Sequence, residues 1–400
     1  AAQCVSRIVR GDMDQELLAL AGRLIAVPGY TELPEKETRV AETLCAALQE
    51  MGLPAQLRDY DGRYNVVCTV QSGRPGPHVV LCTHLDTVPP YEMEEPFHAR
   101  VKDGRLYGRG AVDVRGTLAA MSVALRRIAQ QKHTFLGAVS LLAVSDEESG
   151  SFGMRQEVAH GFVGDVTIVG EPTELKLGIA HKGVCWHAVE FFGKSAHGSV
   201  PENGHSSILD AVDFIQLIET QLQPKLRRCA HPLLSHATVN IGKITGGTRP
   251  TIVPEHCELQ IDRRLVPGES AESTEAEFRA LLQMLQSQKP GFNAEQKILL
   301  GGADKPFPPL DSSGETELIA HLRRTGIPVL GKELECVGLP FWTDAALAAY
   351  GTGKPAFVCG PGSIVQAHAN DEYVELRQLE QAAELYYHMA LAVCSAEGGK

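Results

Sequence analysis

From Asp12 to Ile25 and from Glu35 to Met51, apolar residues recur at three- and four-residue steps, the period that gathers them on one face of a helix. Asp12 is placed to cap the first helix and Gly52 to end the second. Short apolar runs follow at Tyr64 to Val70, Val79 to Cys82, Gly137 to Val144 and Val166 to Val169, each rich in Val or Leu and bounded by Gly, Pro or Asp. These read as buried strands. Helical patterns at Thr117 to Gln130 and Ser151 to Ala159 lie between them, and that alternation predicts an α/β sheet with helices on both faces.

The pattern changes after about Gly178. From His181 to about Gln296 the chain reads as a strand (Val184 to Phe192), a helix (Ser206 to Gln221), two strands (Thr238 to Ile244, Cys257 to Leu265) and a helix (Glu272 to Gln288), which together predict an inserted α+β unit. A helix at Glu315 to Arg324, a strand at Ala356 to Val358 and a helix from Leu376 to Val393 then return to the first type. The expected organisation is a catalytic domain in two parts, 1–180 and 297–400, around a domain at 181–296.

At 400 residues, 44% of them hydrophobic, the chain has enough apolar material for two cores. Its formal charge of −12, with the positive residues scattered, argues against nucleic acid and anionic membrane as partners. No run is long enough for a membrane helix and no signal peptide is evident, so a cytoplasmic location is expected. Ten cysteines show no C-x-x-C pair, and Cys45, Cys68, Cys82 and Cys257 read as small buried hydrophobes.

His84 and Asp86 follow a predicted strand directly, and carboxyl ends of strands are where open α/β sheets bind ligands. Taken alone, a surface His and a turn-capping Asp would be the favoured explanation. Asp113, in the glycine-bracketed GRGAVDVRGT, reads alone as a helix cap. The run Asp146, Glu147, Glu148 is harder to explain without a cation, because adjacent carboxylates at the end of a buried strand repel one another. Glu171 in VGEPT repeats the arrangement, and His368 sits in a Gly- and Pro-rich loop. The set His84, Asp113, Glu148, Glu171 and His368 offers two imidazoles and three carboxylates, the mixed nitrogen and oxygen donors that suit zinc. Three negative charges, two divalent ions and one hydroxide sum to zero, so the set matches two ions with a water whose pKa falls from about 15.7 to near 7.

HLD, GRGAVDVRGT, SDEESGSFG, GEPTE, AHKG, SAHGSVP, GKITGG, DRRLVPGE and GPGSIVQAHANDEY, in that order, resemble the acetylornithine deacetylase and succinyl-diaminopimelate desuccinylase family of two-zinc amidohydrolases, and most of all its acetylornithine deacetylase branch. The resemblance implies a zinc-peptidase-like α/β domain, its mixed sheet sandwiched by helices, with an inserted α+β lid and dimerisation domain. It implies two zinc ions per chain, replaceable by cobalt, with His84 and Glu171 on one, Glu148 and His368 on the other, and Asp113 bridging. Asp86 would orient His84, and Glu147 would be the general base. His197 would reach the partner's active site in a homodimer and stabilise the oxyanion; Arg264, Thr251 and Gly360 would contact the substrate. The implied activity is hydrolysis of the amide of a small N-acyl amino acid, with a place in arginine biosynthesis.

Two positions depart from that pattern: Thr251 stands where relatives usually carry asparagine, and His205 and Ser206 follow Gly204 where an apolar residue and asparagine are usual. Both lie in the lid and bear on which acyl or amino-acid group is taken. An aminoacylase or dipeptidase would use the same metals on other side chains, and a binding protein could keep the fold without the chemistry. An intact Glu147 beside all five candidate ligands argues against the last.

Overall fold

The structure is a computed structural model that describes residues 15–395, so the proposed cap at Asp12 lies outside the described residues. The chain divides into two compact units. One takes the described residues through Ile179 together with Ser312–Val337 and those from Thr343 onward; the other is Ala180–Asp311 with Gly338–Trp342.

The first unit is built on a mixed sheet in the order Ala55–Tyr60, Arg63–Gln71, Ala138–Val144, His78–His84, Val166–Val169, Ala356–Val358. The first two pairings are antiparallel and the next three parallel. Parallel strands with both faces covered become continuous apolar runs, and all four residues of Val166–Val169 are buried. Helices Gly116–Gln130 and Leu376–Cys394 pack on each other and on His78–His84, while Phe152–Ala159 and Ala345–Tyr350 pack on each other and on Ala138–Val144 and Val166–Val169 respectively. Cys45, Cys68 and Cys82 are buried and free. The small antiparallel sheet of Arg100–Lys102, Arg105–Tyr107 and Tyr373–Glu375 was not visible in the sequence, because strands this short carry too little periodicity.

The second unit is a four-stranded antiparallel sheet in the order Thr238–Gly246, His256–Leu265, Gly183–Phe192, Ala294–Leu300. His256–Leu265 shows the two-residue period, with Cys257, Leu259, Ile261, Arg263 and Leu265 buried. Helices Ser207–Leu217 and Ala271–Gln288 close a core around Phe191, Phe214, Phe278 and Leu285. Ser206 caps the first helix by accepting from the Leu209 amide, so the departure from asparagine keeps the capping function. The helix expected at Ser206 to Gln221 becomes a wider turn after Leu217 and resumes as Gln223–Arg228. The boundary expected at 296/297 is corrected to 311/312: Ala294–Leu300 is hydrogen-bonded along Gly183–Phe192 and cannot be split between units.

Candidate active site

Parallel register decides where the chemistry collects. His84 lies level with Val144, and Val169 lies level with Cys82 and Val358, so four strands end on one edge. His84 closes its strand, Ser145 to Glu148 leave the second, Glu171 follows the third, and Cys359 and Gly360 follow the fourth. Asp113 comes from the irregular turn before Gly116–Gln130, and its peptide bond to Val114 is cis.

Asp113 stands between two donor groups. Its Oδ1 is 3.1 Å from His84 Nε2, which is also 3.5 Å from Glu171 Oε1. Its Oδ2 is 3.3 Å from His368 Nε2, which is also 3.2 Å from Glu148 Oε1. The structure thus brings all five candidate ligands together.

The tautomer of His84 bears on what this arrangement can hold. His84 Nδ1 faces the carbonyl oxygen of Asp86 at 2.9 Å, a pure acceptor, so the ring hydrogen sits on Nδ1. In the neutral ring, Nε2 then presents a lone pair to two carboxylate oxygens. Three acceptors facing one another repel unless a cation or a proton lies among them. Glu171 Oε1 is buried and has no hydrogen-bond partner. Two donors about 2.1 Å from one tetrahedral zinc ion stand about 3.4 Å apart, and the four spacings fall around that value. Donor types, spacing and the orphaned oxygen all fit divalent metal.

Burial lifts the Glu147 carboxyl well above its ordinary range, with Glu171, Asp344 and Glu148 adding to it against the pull of His84. Burial likewise lifts Glu171, with Asp113 and Glu148 adding to it. Hydrogen bonds to Asp113 and Glu148 raise His368 to about 10. Burial alone would depress His84, yet Glu171, Asp113 and Asp86 hold it well above the usual value. Each shift favours a bound proton where a metal's charge would otherwise act.

Asp86 meets His84 through both its main chain and its side chain: its carbonyl oxygen is 2.9 Å and its Oδ1 3.5 Å from Nδ1. The carboxylate also accepts the amides of Glu147 and Glu148, each at 3.1 Å, and so holds the acidic turn. Asp146 leaves the cluster through a left-handed backbone (φ 69°) and pairs with Arg63 at 2.8 Å. Buried Asn65 accepts the Ser145 amide at 3.0 Å and donates to Gly153 and Glu157. Sequence reasoning missed Asn65, Arg63 and Asp344 because nothing local distinguishes them from ordinary polar residues.

Gly360 is corrected. It is buried, its amide donates to Thr173 Oγ1 and its carbonyl accepts from Leu175, so no backbone group is left for a substrate. A Cβ on Gly360 would lie 2.5 Å from the Glu171 carbonyl oxygen, and only glycine allows that approach. Gly360→Ala is expected to displace Glu171, destabilise the fold by about 1 to 3 kcal/mol as overpacking does, and weaken metal binding. Thermal melts and zinc titration check this, and wild-type values in both would show that the strand end moves freely.

The remaining expected residues lie in the second unit. His197 is exposed; the Ser199 amide donates to its Nδ1 at 3.2 Å, which leaves the hydrogen on Nε2. Thr251 is joined to the same loop, since its carbonyl accepts from Gly198 at 2.8 Å. Arg264 is ion-paired with Asp262 of its own strand at 2.9 Å.

Residues 80–392 match the family described as Peptidase family M20/M25/M40. The chain is 28% identical to acetylornithine deacetylase from Proteus mirabilis, over 96% of this chain and 98% of the relative. It is also 28% identical to acetylornithine deacetylase from Photorhabdus laumondii, over 90% and 92%. Among solved structures it shares its fold with a tripeptidase from Staphylococcus aureus (TM-score 0.78, 20% identity, covering 95% and 98%). A dinuclear metal-binding peptidase of the M20 family from Bacillus subtilis gives a TM-score of 0.72 at 16% identity, covering 96% and 99%. With the family match spanning most of the sequence, the chain belongs to peptidase family M20/M25/M40 and is a hydrolytic enzyme.

Proposed function

We propose that this enzyme hydrolyses the amide bond of a small N-acyl amino acid, releasing a carboxylate and the free amino acid. The observation that carries the reading is Asp113, which offers one oxygen to the side of His84 and Glu171 and the other to the side of His368 and Glu148. These five residues would hold two divalent ions, zinc or cobalt. When bound, the ions supply an activated water near neutral pH and polarise the substrate carbonyl.

Glu147 belongs to neither donor group, yet its amide is fixed by Asp86 beside Glu148. Its carboxylate takes a proton from the attacking water as the new C–O bond forms. It returns that proton to the departing nitrogen as the C–N bond breaks. A carboxyl held above its ordinary range by burial suits a group that must both accept and give up a proton near neutral pH. Similarity to acetylornithine deacetylases over nearly the whole chain supports an N-acyl substrate. A panel of N-acetyl amino acids, N-succinyl amino acids and dipeptides, run on metal-loaded protein, tests this. Turnover of dipeptides alone would overturn it.

The Nε2–H of the exposed His197 suits an oxyanion donor, and the proposal extends to a homodimer in which each chain lends His197 to its partner. Glu147→Ala and His197→Ala homodimers are each expected to be nearly inactive. Subunit exchange between them should make about half of the dimers mixed, each with one complete site, and activity should rise well above either parent. Demonstrated exchange without that rise would return His197 to a turn residue.

No helix among the described residues is long and apolar enough to cross a membrane.

A further inference from the structure

Glu372 lies four residues beyond His368, and the chemistry above gives it no task. Its side chain is fully buried and its carboxylate accepts four hydrogen bonds, two on each oxygen. Oε1 takes the amides of Val112 at 3.0 Å and Asp113 at 3.1 Å. Oε2 takes the amide of Gly110 at 3.0 Å and the Arg109 guanidinium at 2.7 Å. All four donors belong to residues 109–113, the turn that carries Asp113.

The same two segments are tied elsewhere. Gly108 N–H donates to the Glu372 carbonyl at 3.3 Å, and Tyr373–Glu375 pairs antiparallel with Arg105–Tyr107. Arg109, itself buried, also donates to the carbonyl of Ala369, the residue after His368, at 3.3 Å. At Asp113 and Val114 the backbone leaves helical dihedrals (φ −129°, ψ 81° and φ −141°, ψ 29°), so no regular helical ladder supplies acceptors for these amides. A buried ion pair is a weak source of stability by itself, because desolvation offsets most of the attraction. This pair instead fixes the register of two chain segments about 260 residues apart.

We propose that Glu372 is a positioning residue for the metal centre: by gathering the amides of Gly110, Val112 and Asp113, it sets the spacing between Asp113 and His368. The inference rests on the reading of Asp113 and His368 as metal-holding residues. Glutamine at 372 would keep the shape and one acceptor. Its amide group would face the Gly110 amide and Arg109, both donors, and the turn would have to shift.

The test compares wild type with Glu372→Gln, Arg109→Lys and Asp113→Asn, measuring zinc affinity by chelator competition, the melting temperature of the metal-free protein, and kcat and KM. Glu372→Gln is expected to bind zinc roughly tenfold to hundredfold more weakly, as outer hydrogen-bond partners of metal ligands commonly do. Its kcat should fall with little change in KM; because the buried Arg109 loses its counter-charge, its metal-free melting temperature should fall too, and the zinc affinity of the folded variant decides the test. Should that variant fail to fold, Arg109→Lys carries the test: it keeps the cation but loses the fork that also reaches Ala369, and a severalfold loss of zinc affinity is expected. A lowered melting temperature with wild-type zinc affinity would reduce Glu372 to a packing residue and overturn the proposal. Asp113→Asn separates the two readings. If it too bound zinc like wild type, the metal centre itself would be misassigned; if it lost zinc while Glu372→Gln kept it, the inference about Glu372 alone would fail.

Discussion

Glu147→Gln should lower turnover by roughly a hundredfold to ten-thousandfold, the usual cost of losing a general acid or base, while leaving bound metal nearly intact. The change is isosteric, and the Glu147 amide stays on Asp86 because that contact is made by the main chain. Glu148→Gln should behave differently although it is the adjacent residue. Its Oε1 stands 3.2 Å from His368 Nε2 within the donor group, so the loss should fall first on metal affinity. Elemental analysis and single-turnover rates on both variants separate the outcomes. Equal loss of metal from the two would show that the division of labour between these neighbours is wrong.

Removing metal should abolish activity and also reverse the pH dependence of stability. In the metal-free protein His84, His368, Glu147, Glu148 and Glu171 all have raised folded pKa values. A raised value stabilises the fold below the unfolded pKa, about 6.5 for His and 4.3 for Glu, and that stability is lost as pH rises through the folded value. Asp86 and Asp113 are depressed instead, so their contribution is present above about 3.9 and stays constant between pH 5 and 8. Chelator-treated protein should therefore melt at progressively lower temperature from pH 5 to pH 8. Metal-loaded protein should show the opposite trend, because the ligands must be deprotonated to bind and affinity grows with pH. Parallel melting curves for the two forms would rule out this cluster as the metal centre.

Much of the molecule was legible in the linear chain. The strands Val166–Val169 and Ala356–Val358 and the helix Thr38–Glu50 carry their own signals, since burial on both faces makes a strand uniformly apolar and one-sided burial gives a helix its period. His84, Asp146 to Glu148 and Glu171 stood out because each follows such a strand within a few residues, and parallel pairing alone requires that those ends lie together. Periodicity therefore determined the α/β class, and the family resemblance supplied the candidate ligand set.

What the sequence could not decide depends on contacts between distant segments. The second boundary moved because Ala294–Leu300 finds its partner a hundred residues earlier, in Gly183–Phe192, through backbone hydrogen bonds that leave little trace in side-chain periodicity. Gly360 passed from substrate contact to steric support for Glu171 once the two strand ends were set side by side. Asp86 acquired a second function because the turn at Glu147 and Glu148 folds over its carboxylate. Glu372 reads in the sequence as one more acid in a polar loop; it becomes a four-bond acceptor only when the turn at 109–113 is brought around it. Periodicity reports how each segment faces water, whereas the satisfaction of buried amides and carboxylates is settled by whichever segments the fold brings into contact.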